Sequence, residues 1–166
     1  GDVLKELAPK RRLVQEIDWD DAVYRELMAP VARQLQMLRA TDDPSRRAII
    51  EDAICQRQRQ ATGIAKAPFV AAFVRALVES GEKVLLMAHH HAVMDTYKQE
   101  LKHYRPGFIT GRETISAKAD AVERFMSGKT DVLCISLRAA SGLNLQRATC
   151  VVFGELDWSP AVHSQA

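Results

Sequence analysis

Three consecutive histidines, His89-His90-His91, are the first residues of this chain with obvious chemical potential. Imidazole binds zinc when several ligands converge on one point. Successive side chains leaving a strand point different ways, and no Cys, Asp or Glu stands beside these three at ligand spacing, so no metal site is expected. A strand-to-helix turn is better suited to phosphate, which it can meet through side chains and helix N-terminal amides. Ser127-Gly128-Lys129-Thr130 mimics the end of a phosphate-binding loop, but Glu123 stands where that loop needs its first glycine. A helix precedes it and a strand follows, the reverse of the required context, so it reads as a helix stop and turn. With neither a Walker A loop nor an acidic pair at a strand end, the chain is not expected to hydrolyse ATP alone. The stretch from Ser136 to Leu145 is small and polar, and small residues let backbone approach a ligand closely. A tight connection between a strand and a short helix would look the same. Phe153-Gly154-Glu155-Leu156-Asp157-Trp158-Ser159-Pro160 follows another apolar run, and Trp158-Ser159-Pro160 reads as a turn entering a helix.

The elements that must position these residues alternate. Lys83 to Ala88 is a short continuous apolar run, as suits a strand covered on both faces. Phe108-Ile109, Asp131 to Ile135 and Thr149 to Phe153 are three further strands. Ala67-Pro68 reads as a helix start, with Phe69, Val70, Phe73, Val74, Leu77 and Val78 as its apolar face and Gly81 as its left-handed stop. A second helix is expected from about Ala92 to Tyr104, and a third from a Ser116 cap to Met126, closed by Gly128. Helices separate the strands and no two-residue hairpin turn joins them, which argues an α/β fold with a parallel sheet. Ligands of such sheets bind beyond the carboxyl ends of the strands. The segments after Ala88, Ile109, Ile135 and Phe153 are therefore where a site is expected.

Residues 1 to about 60 read as helical. Asp20 or Asp21 can cap a helix whose stripe is Val23, Leu27, Val31, Leu35 and Leu38, kinked or restarted at Pro30. Asp43-Pro44 is a cap with proline at the first helical position, opening a helix that buries Ile49, Ile50, Ala53 and Ile54. The chain has 166 residues, 47% hydrophobic and 27% charged, which suits one globular domain with a real core. A net charge of +2 is too mild to claim nucleic acid by itself, and Lys10-Arg11-Arg12, Arg46-Arg47 and Arg57/Arg59 read as solvated helix faces. Cys55, Cys134 and Cys150 form no C-x-x-C pair, so neither a zinc ribbon nor a redox pair is expected. No apolar run approaches the roughly 18 residues that span a bilayer, and Gly1 to Lys5 lacks the features of a signal peptide. A cytosolic or nuclear protein is expected.

Taken in order, these pieces resemble the C-terminal helicase lobe of the Swi/Snf family within superfamily-two helicases. Lys83 to Ala88 with the histidines resembles motif IV, and Ser136 to Leu145 resembles motif V. Ile109-Thr110-Gly111 resembles the strand-and-glycine step before the next helix. Phe153 to Pro160 resembles the block before motif VI, whose first two residues Gln165-Ala166 resemble. Met87-Ala88-His89-His90 and Val152 to Pro160 look closest to the annealing-helicase, HARP-like branch. Leu7 to Arg12 is similar to the segment leaving lobe one, and Thr62 to Pro68 to the start of lobe two. Motif V departs from the family by carrying Ala139-Ala140-Ser141 where glycines are common, and it is one residue short.

The resemblance implies a RecA-like three-layer α/β fold, residues 63–166, preceded by a helical linker, residues 1–62. It implies the second motor lobe of an ATP-dependent translocase on double-stranded DNA, with helicase lobe one as intramolecular partner and no membrane. ATP and Mg2+ would be held mainly by lobe one, and the lobe alone, lacking the rest of motif VI, would be inactive. Gly142, Asn144 and Gln165 would face the nucleotide. His89, His90, Gly111, Arg112, Ser136, Leu137 and Arg138 would face DNA phosphate. It implies a nuclear location if the source is eukaryotic and a cytoplasmic, nucleoid-associated one if bacterial. Two other readings share the motifs: an RNA helicase lobe of the same superfamily, and a catalytically dead lobe serving as a nucleic-acid-binding scaffold.

Overall fold

A computed structural model describes residues 11–12, 17–140 and 142–155. The chain's helical first part is built by capping. The Asp20 carboxylate accepts the Val23 amide at 3.2 Å and opens α1 (Asp21–Met28). Pro30 then restarts the helix as α2 (Val31–Arg39). The stripe expected across this break is uneven, because Val31 is buried while Leu35 is 40% exposed. Asp43 caps α3 (Pro44–Glu79) by accepting the Ser45 amide at 3.2 Å.

α3 corrects the expectation of two helices. It runs 36 residues, with Pro68 inside it, through the expected boundary at residue 62. Pro68 has no N–H for the Ile64 carbonyl, which normally breaks a helix. Here Ala61, Ala65, Ala67, Ala71 and Val74 are buried around it, and tertiary burial outweighs one missing bond. Ile49, expected inside, is 71% exposed, while its neighbour Ile50 is buried. Against the expectation that no run approaches this length, one 18-residue window of α3 is long and apolar enough to cross a bilayer; 44% of it is buried, with Ala67, Val70, Ala71 and Val74 packed in the core. The helix stops as expected. Gly81 takes φ 94°, letting the Glu82 amide reach the Leu77 carbonyl at 3.0 Å and the Gly81 amide reach that of Val78 at 3.0 Å.

The sheet is parallel, with β1 (Arg11–Arg12), β2 (Val84–Ala88), β3 (Gly107–Ile109), β4 (Val132–Ser136) and β5 (Cys150–Phe153) in the order β1-β5-β2-β4-β3. β1 was not expected, since the helical reading covered its residues. All five residues of β2 and all five of β4 are buried, as the continuous apolar runs require. α4 (His91–Glu100) joins β2 to β3 and ends earlier than expected. A 3-10 turn, Lys102–Tyr104, follows, and Arg105 adopts a left-handed φ of 51° before Pro106. α5 (Ile115–Met126) is capped by Thr114, not Ser116: the Thr114 hydroxyl accepts the Ala117 amide at 3.1 Å. Gly128 closes it with φ 85°, the Lys129 amide bonding to the Arg124 carbonyl at 2.9 Å, so Ser127 to Thr130 is the helix stop it was read to be. Between β4 and β5 the described residues hold turns and no helix, against the expectation of one.

Two buried clusters sandwich the sheet. On one face Val70, Ala71 and Val74 of α3 and Val93, Met94 and Tyr97 of α4 pack against Val84, Leu86, Cys134 and Val152. On the other, Ala121 and Phe125 of α5 pack against Leu85, Leu133, Ile135 and Val151. Ala140, Leu145 and Ala148 complete this second layer, so the β4–β5 connection covers sheet where a helix was expected.

Arg147 fastens that connection. Its guanidinium donates to the carbonyls of Phe125 at 2.8 Å and Thr130 at 3.0 Å and to the Asp131 carboxylate at 2.6 Å, and lies 5.5 Å from the Phe125 ring centre. Partial burial pushes the Asp131 carboxyl up, but Arg147 and Lys83 together hold it below its usual range. Arg147→Ala should cost about 2–3 kcal/mol in urea unfolding, since two carbonyls and a carboxylate lose a charged donor. The folded pKa of Asp131 is depressed, so its contribution is complete above the unfolded value near pH ~4 and is lost as pH falls through the folded one. The gap between wild type and Arg147→Ala should therefore narrow below about pH 4. A gap that is constant down to pH ~2 would exclude the Asp131 part of the account.

Candidate nucleic-acid and nucleotide face

Register brings the expected segments to one edge. Ala88 pairs with Ser136, Met87 with Phe153 and Ile109 with Ile135, so four strands end at nearly one level. Beyond them, in sheet order, come Gly154-Glu155, His89-His90, Leu137-Arg138 and Thr110-Gly111-Arg112.

The His89-His90 turn leads from β2 into α4, and both residues are half-buried. Their amides do not stand open. Glu155, after β5, accepts the His89 amide at 2.7 Å and the His90 amide at 2.8 Å with one oxygen, and meets His90 Nδ1 at 2.5 Å with the other. A carboxylate at the positive end of α4 is where the helix dipole favours negative charge. Glu155 is itself buried, backed by Gly63 of α3, where a Cβ would lie 2.5 Å from its Oε1. Its neighbour Gly154 donates to the Met87 carbonyl at 2.8 Å and sits against the Tyr97 hydroxyl of α4. That hydroxyl is buried without a hydrogen-bond partner, and burial, with the charge of Glu155, pushes its pKa well up.

The Thr110-Arg112 turn is organised from within. Glu113 accepts the Thr110 amide at 2.6 Å, the Thr110 hydroxyl at 2.7 Å and the Gly111 amide at 3.2 Å. Partial burial raises the Glu113 carboxyl, yet these donors hold it below its ordinary range. Gly111 takes φ 96°, open only to glycine at low cost. Arg112 is exposed and its guanidinium donates to Asp95 of α4 at 2.8 Å.

After β4, the Leu137 amide bonds to the Ala88 carbonyl at 3.1 Å and extends the ladder. Ser136 is buried, Leu137 half-buried and Arg138 exposed, with the Arg138 amide reaching Ser136 Oγ at 3.4 Å. Gly142 and Asn144 are both exposed further along the same connection. Gly142 has φ 79°, and a Cβ there would meet nothing within 4 Å, so the loop's shape needs glycine while the space beside it is open. That fits backbone facing a ligand such as a nucleotide. Ser141, Gln165 and the Trp158-Ser159-Pro160 turn lie outside the described residues. Among the described residues no three His, Cys, Asp or Glu side chains gather to hold a metal ion.

Glu155 and Gly63 enter the sequence reading only as parts of longer blocks, and Glu113, Asp95, Tyr97 and Arg147 carry no reading of their own. Only Glu113, three residues from Thr110, left a local signal, as an acid inside a Thr-Gly turn.

Known proteins place this edge in context. The helicase conserved C-terminal domain family matches residues 67–166. The SWI/SNF-related matrix-associated actin-dependent regulator of chromatin subfamily A-like protein 1 of Drosophila melanogaster is 29% identical over 99% of this chain and 22% of its own length. The Bos taurus protein of that name is 33% identical over 100% of this chain and 18% of its own. The DNA annealing helicase and endonuclease ZRANB3 of Mus musculus is 28% identical over 100% of this chain and 16% of its own. The chain thus spans about a fifth of the length of the curated relatives it matches. In fold it resembles the Sulfolobus solfataricus SWI2/SNF2 ATPase C-terminal domain, with TM-score 0.72 and 12% identity over 92% of this chain and 75% of that one. The SWI2/SNF2 ATPase core of the same organism, solved in complex with dsDNA, gives TM-score 0.74 at 11% identity, over 94% of this chain and 37% of that one. A matched family over most of the chain, relatives along its whole length and a shared parallel-sheet fold agree: this chain belongs to the helicase conserved C-terminal domain family, as a Swi/Snf-type superfamily-two lobe similar to those of the annealing helicases.

Proposed function

We propose that this chain is the second motor lobe of an ATP-dependent translocase on double-stranded DNA, working against a first helicase lobe of the same protein. The observation that carries the reading is the alignment of four strand exits along one edge, three of which, at His89-His90, Ser136-Arg138 and Thr110-Arg112, lead into turns that carry amides, hydroxyls or cations. Such groups hold a phosphate backbone without reading its sequence, as a motor that moves along DNA requires. The relatives' names and the dsDNA complex of a structural neighbour support the same direction.

Within this lobe, Arg112, Arg138, Gly111 and the His89-His90 and Ser136-Leu137 turns face phosphate. Gly142 and Asn144 face ATP across the cleft from lobe one, and Gln165, the third residue given to the nucleotide, lies outside the described residues. ATP cleavage would open and close the two lobes, and the phosphate-facing edge would step along the duplex. Mg2+ would be supplied to the nucleotide mainly from lobe one, and the lobe alone would not turn over ATP.

ATP turnover by the full-length protein, with duplex DNA, single-stranded DNA or RNA added, tests this. Duplex DNA should stimulate strongly. Gly142→Trp should abolish the stimulation, lowering turnover by about 10²-fold or more, because it both forces an unfavourable φ and fills the cleft. Stimulation by RNA alone would make this an RNA helicase lobe. Nucleic-acid binding without turnover would make it a scaffold.

A further inference from the structure

Three carboxylates of this chain occupy donors of two of the turns that the proposed function gives to DNA phosphate, His89-His90 and Thr110-Arg112. Glu155 holds the His89 and His90 amides, Glu113 holds the Thr110 and Gly111 amides, and Asp95 holds Arg112. They differ in how firmly they are held. The Glu155 side chain is 6% exposed and answers three donors, so removing it would leave buried groups unmatched. Glu113 is half-buried and binds within its own turn. Asp95 instead makes a single contact across the surface: its side chain is 61% exposed and that of Arg112 is 46% exposed. Exposed pairs of this kind are worth about 0–1 kcal/mol, so this one opens readily.

A phosphodiester presents a guanidinium with the same charge as a carboxylate and a matching pair of oxygens. We propose that Asp95 is a displaceable carboxylate that occupies Arg112 until a DNA phosphate takes it, and so sets how tightly this lobe grips the duplex. This rests on the reading of the edge as a DNA face. Asp95 stays ionised in the free protein, held below its usual pKa chiefly by the Arg112 hydrogen bond, with Lys98 and His91 of α4 adding in the same direction. When phosphate displaces it, the carboxylate is left close to the DNA backbone and repels it. The grip is weakened twice, by competition for Arg112 and by repulsion afterwards. A motor that must release phosphate at each step gains from such a counterweight. It also differs from a merely acidic surface, because the competition exists only while Arg112 is present.

Binding of the full-length protein to a fluorescent duplex, followed by anisotropy across a salt series, tests the pair. Asp95→Asn should tighten binding about three- to tenfold at low salt. Arg112→Ala should weaken it by a similar factor and reduce the salt slope by about one. In the Arg112→Ala background, Asp95→Asn should gain clearly less than in the wild type, because only the repulsion remains to be relieved and no partner remains to be freed. An equal gain in both backgrounds would show general charge removal and overturn the proposal, as would no gain in either. If neither wild type nor Asp95→Asn binds duplex at any salt, the DNA reading of the edge itself fails, an outcome distinct from binding that shows no coupling.

Discussion

Replacing Gly154 with alanine should destabilise the chain by about 2–3 kcal/mol, the range expected when a packed interior is forced to accept an extra methyl. The added Cβ would fall onto the Tyr97 hydroxyl and lie 3.1 Å from Tyr97 Cζ and 3.4 Å from Val70 Cγ1. Neither neighbour can step aside. Tyr97 is fully buried in α4, and Val70 is buried on α3 beneath the same face of the sheet. Gly154 cannot retreat either, because its amide is bonded to the Met87 carbonyl where β5 leaves the sheet. The clash is mostly with one oxygen, and that oxygen has no hydrogen-bond partner to lose. Tyr97→Phe alone should therefore be nearly neutral or slightly stabilising, since removing an unsatisfied buried group relieves its desolvation cost. Combined with Gly154→Ala it should recover at least about 1 kcal/mol of the loss. Urea unfolding of the four proteins gives the coupling directly. Strict additivity would mean that the alanine is accommodated by movement of the strand exit and not by contact with Tyr97.

How much of this was legible beforehand follows from the range over which each feature is set. Features fixed by neighbours in the chain were readable. Asp43-Pro44 and Ser80-Gly81 punctuate α3 as expected, and Ser127-Gly128 stops α5 despite its likeness to a phosphate loop. Strands buried on both faces declare themselves as apolar runs, which is why β2, β4 and β5 were placed within a residue or two. Features fixed by distant partners were not. Pro68 should end a helix on local grounds, and it lies within one only because the surrounding alanines are buried. β1 is two residues of backbone paired to Cys150 and Val151, with no apolar run to signal it. The segment after β4 carries small residues that suit a strand-to-helix connection, but its described residues form turns, with Leu145 and Ala148 buried in the second core cluster. The edge where the four strands exit shows the same division. Its turns follow apolar runs, and Glu113 sits within the turn it holds, whereas the carboxylate at the His89-His90 turn, Glu155, comes from 66 residues beyond His89. No spacing rule reaches that far, and only the order of parallel strands brings the two together.

That long-range carboxylate supports the second large effect. Glu155→Ala should cost about 3 kcal/mol or more, because the His89 and His90 amides lose a charged acceptor in a half-buried turn and the start of α4 loses its negative partner. Glu155→Gln, which keeps the shape and one acceptor oxygen, should cost less. A cavity effect alone would not distinguish them, so the discriminating variant is Gly63→Ala on α3. Glycine in a helix interior is normally about 1 kcal/mol worse than alanine, so the substitution ought to stabilise. Here its Cβ would lie 2.5 Å from Glu155 Oε1 and 2.9 Å from Cδ, and Glu155 can yield only by leaving the amides it serves. Gly63→Ala should therefore destabilise the wild type by about 1–2 kcal/mol. In the Glu155→Ala protein the obstacle is gone, and the same change should return to its usual sign and gain about 1 kcal/mol. That reversal, read from unfolding midpoints, would show that α3 bears on the His89-His90 turn through this carboxylate. An unchanged sign would mean that α3 and the turn are packed independently. The first outcome makes the long helix part of what sets the His89-His90 edge, since any shift of α3 would be passed through Glu155 to the amides at the start of α4.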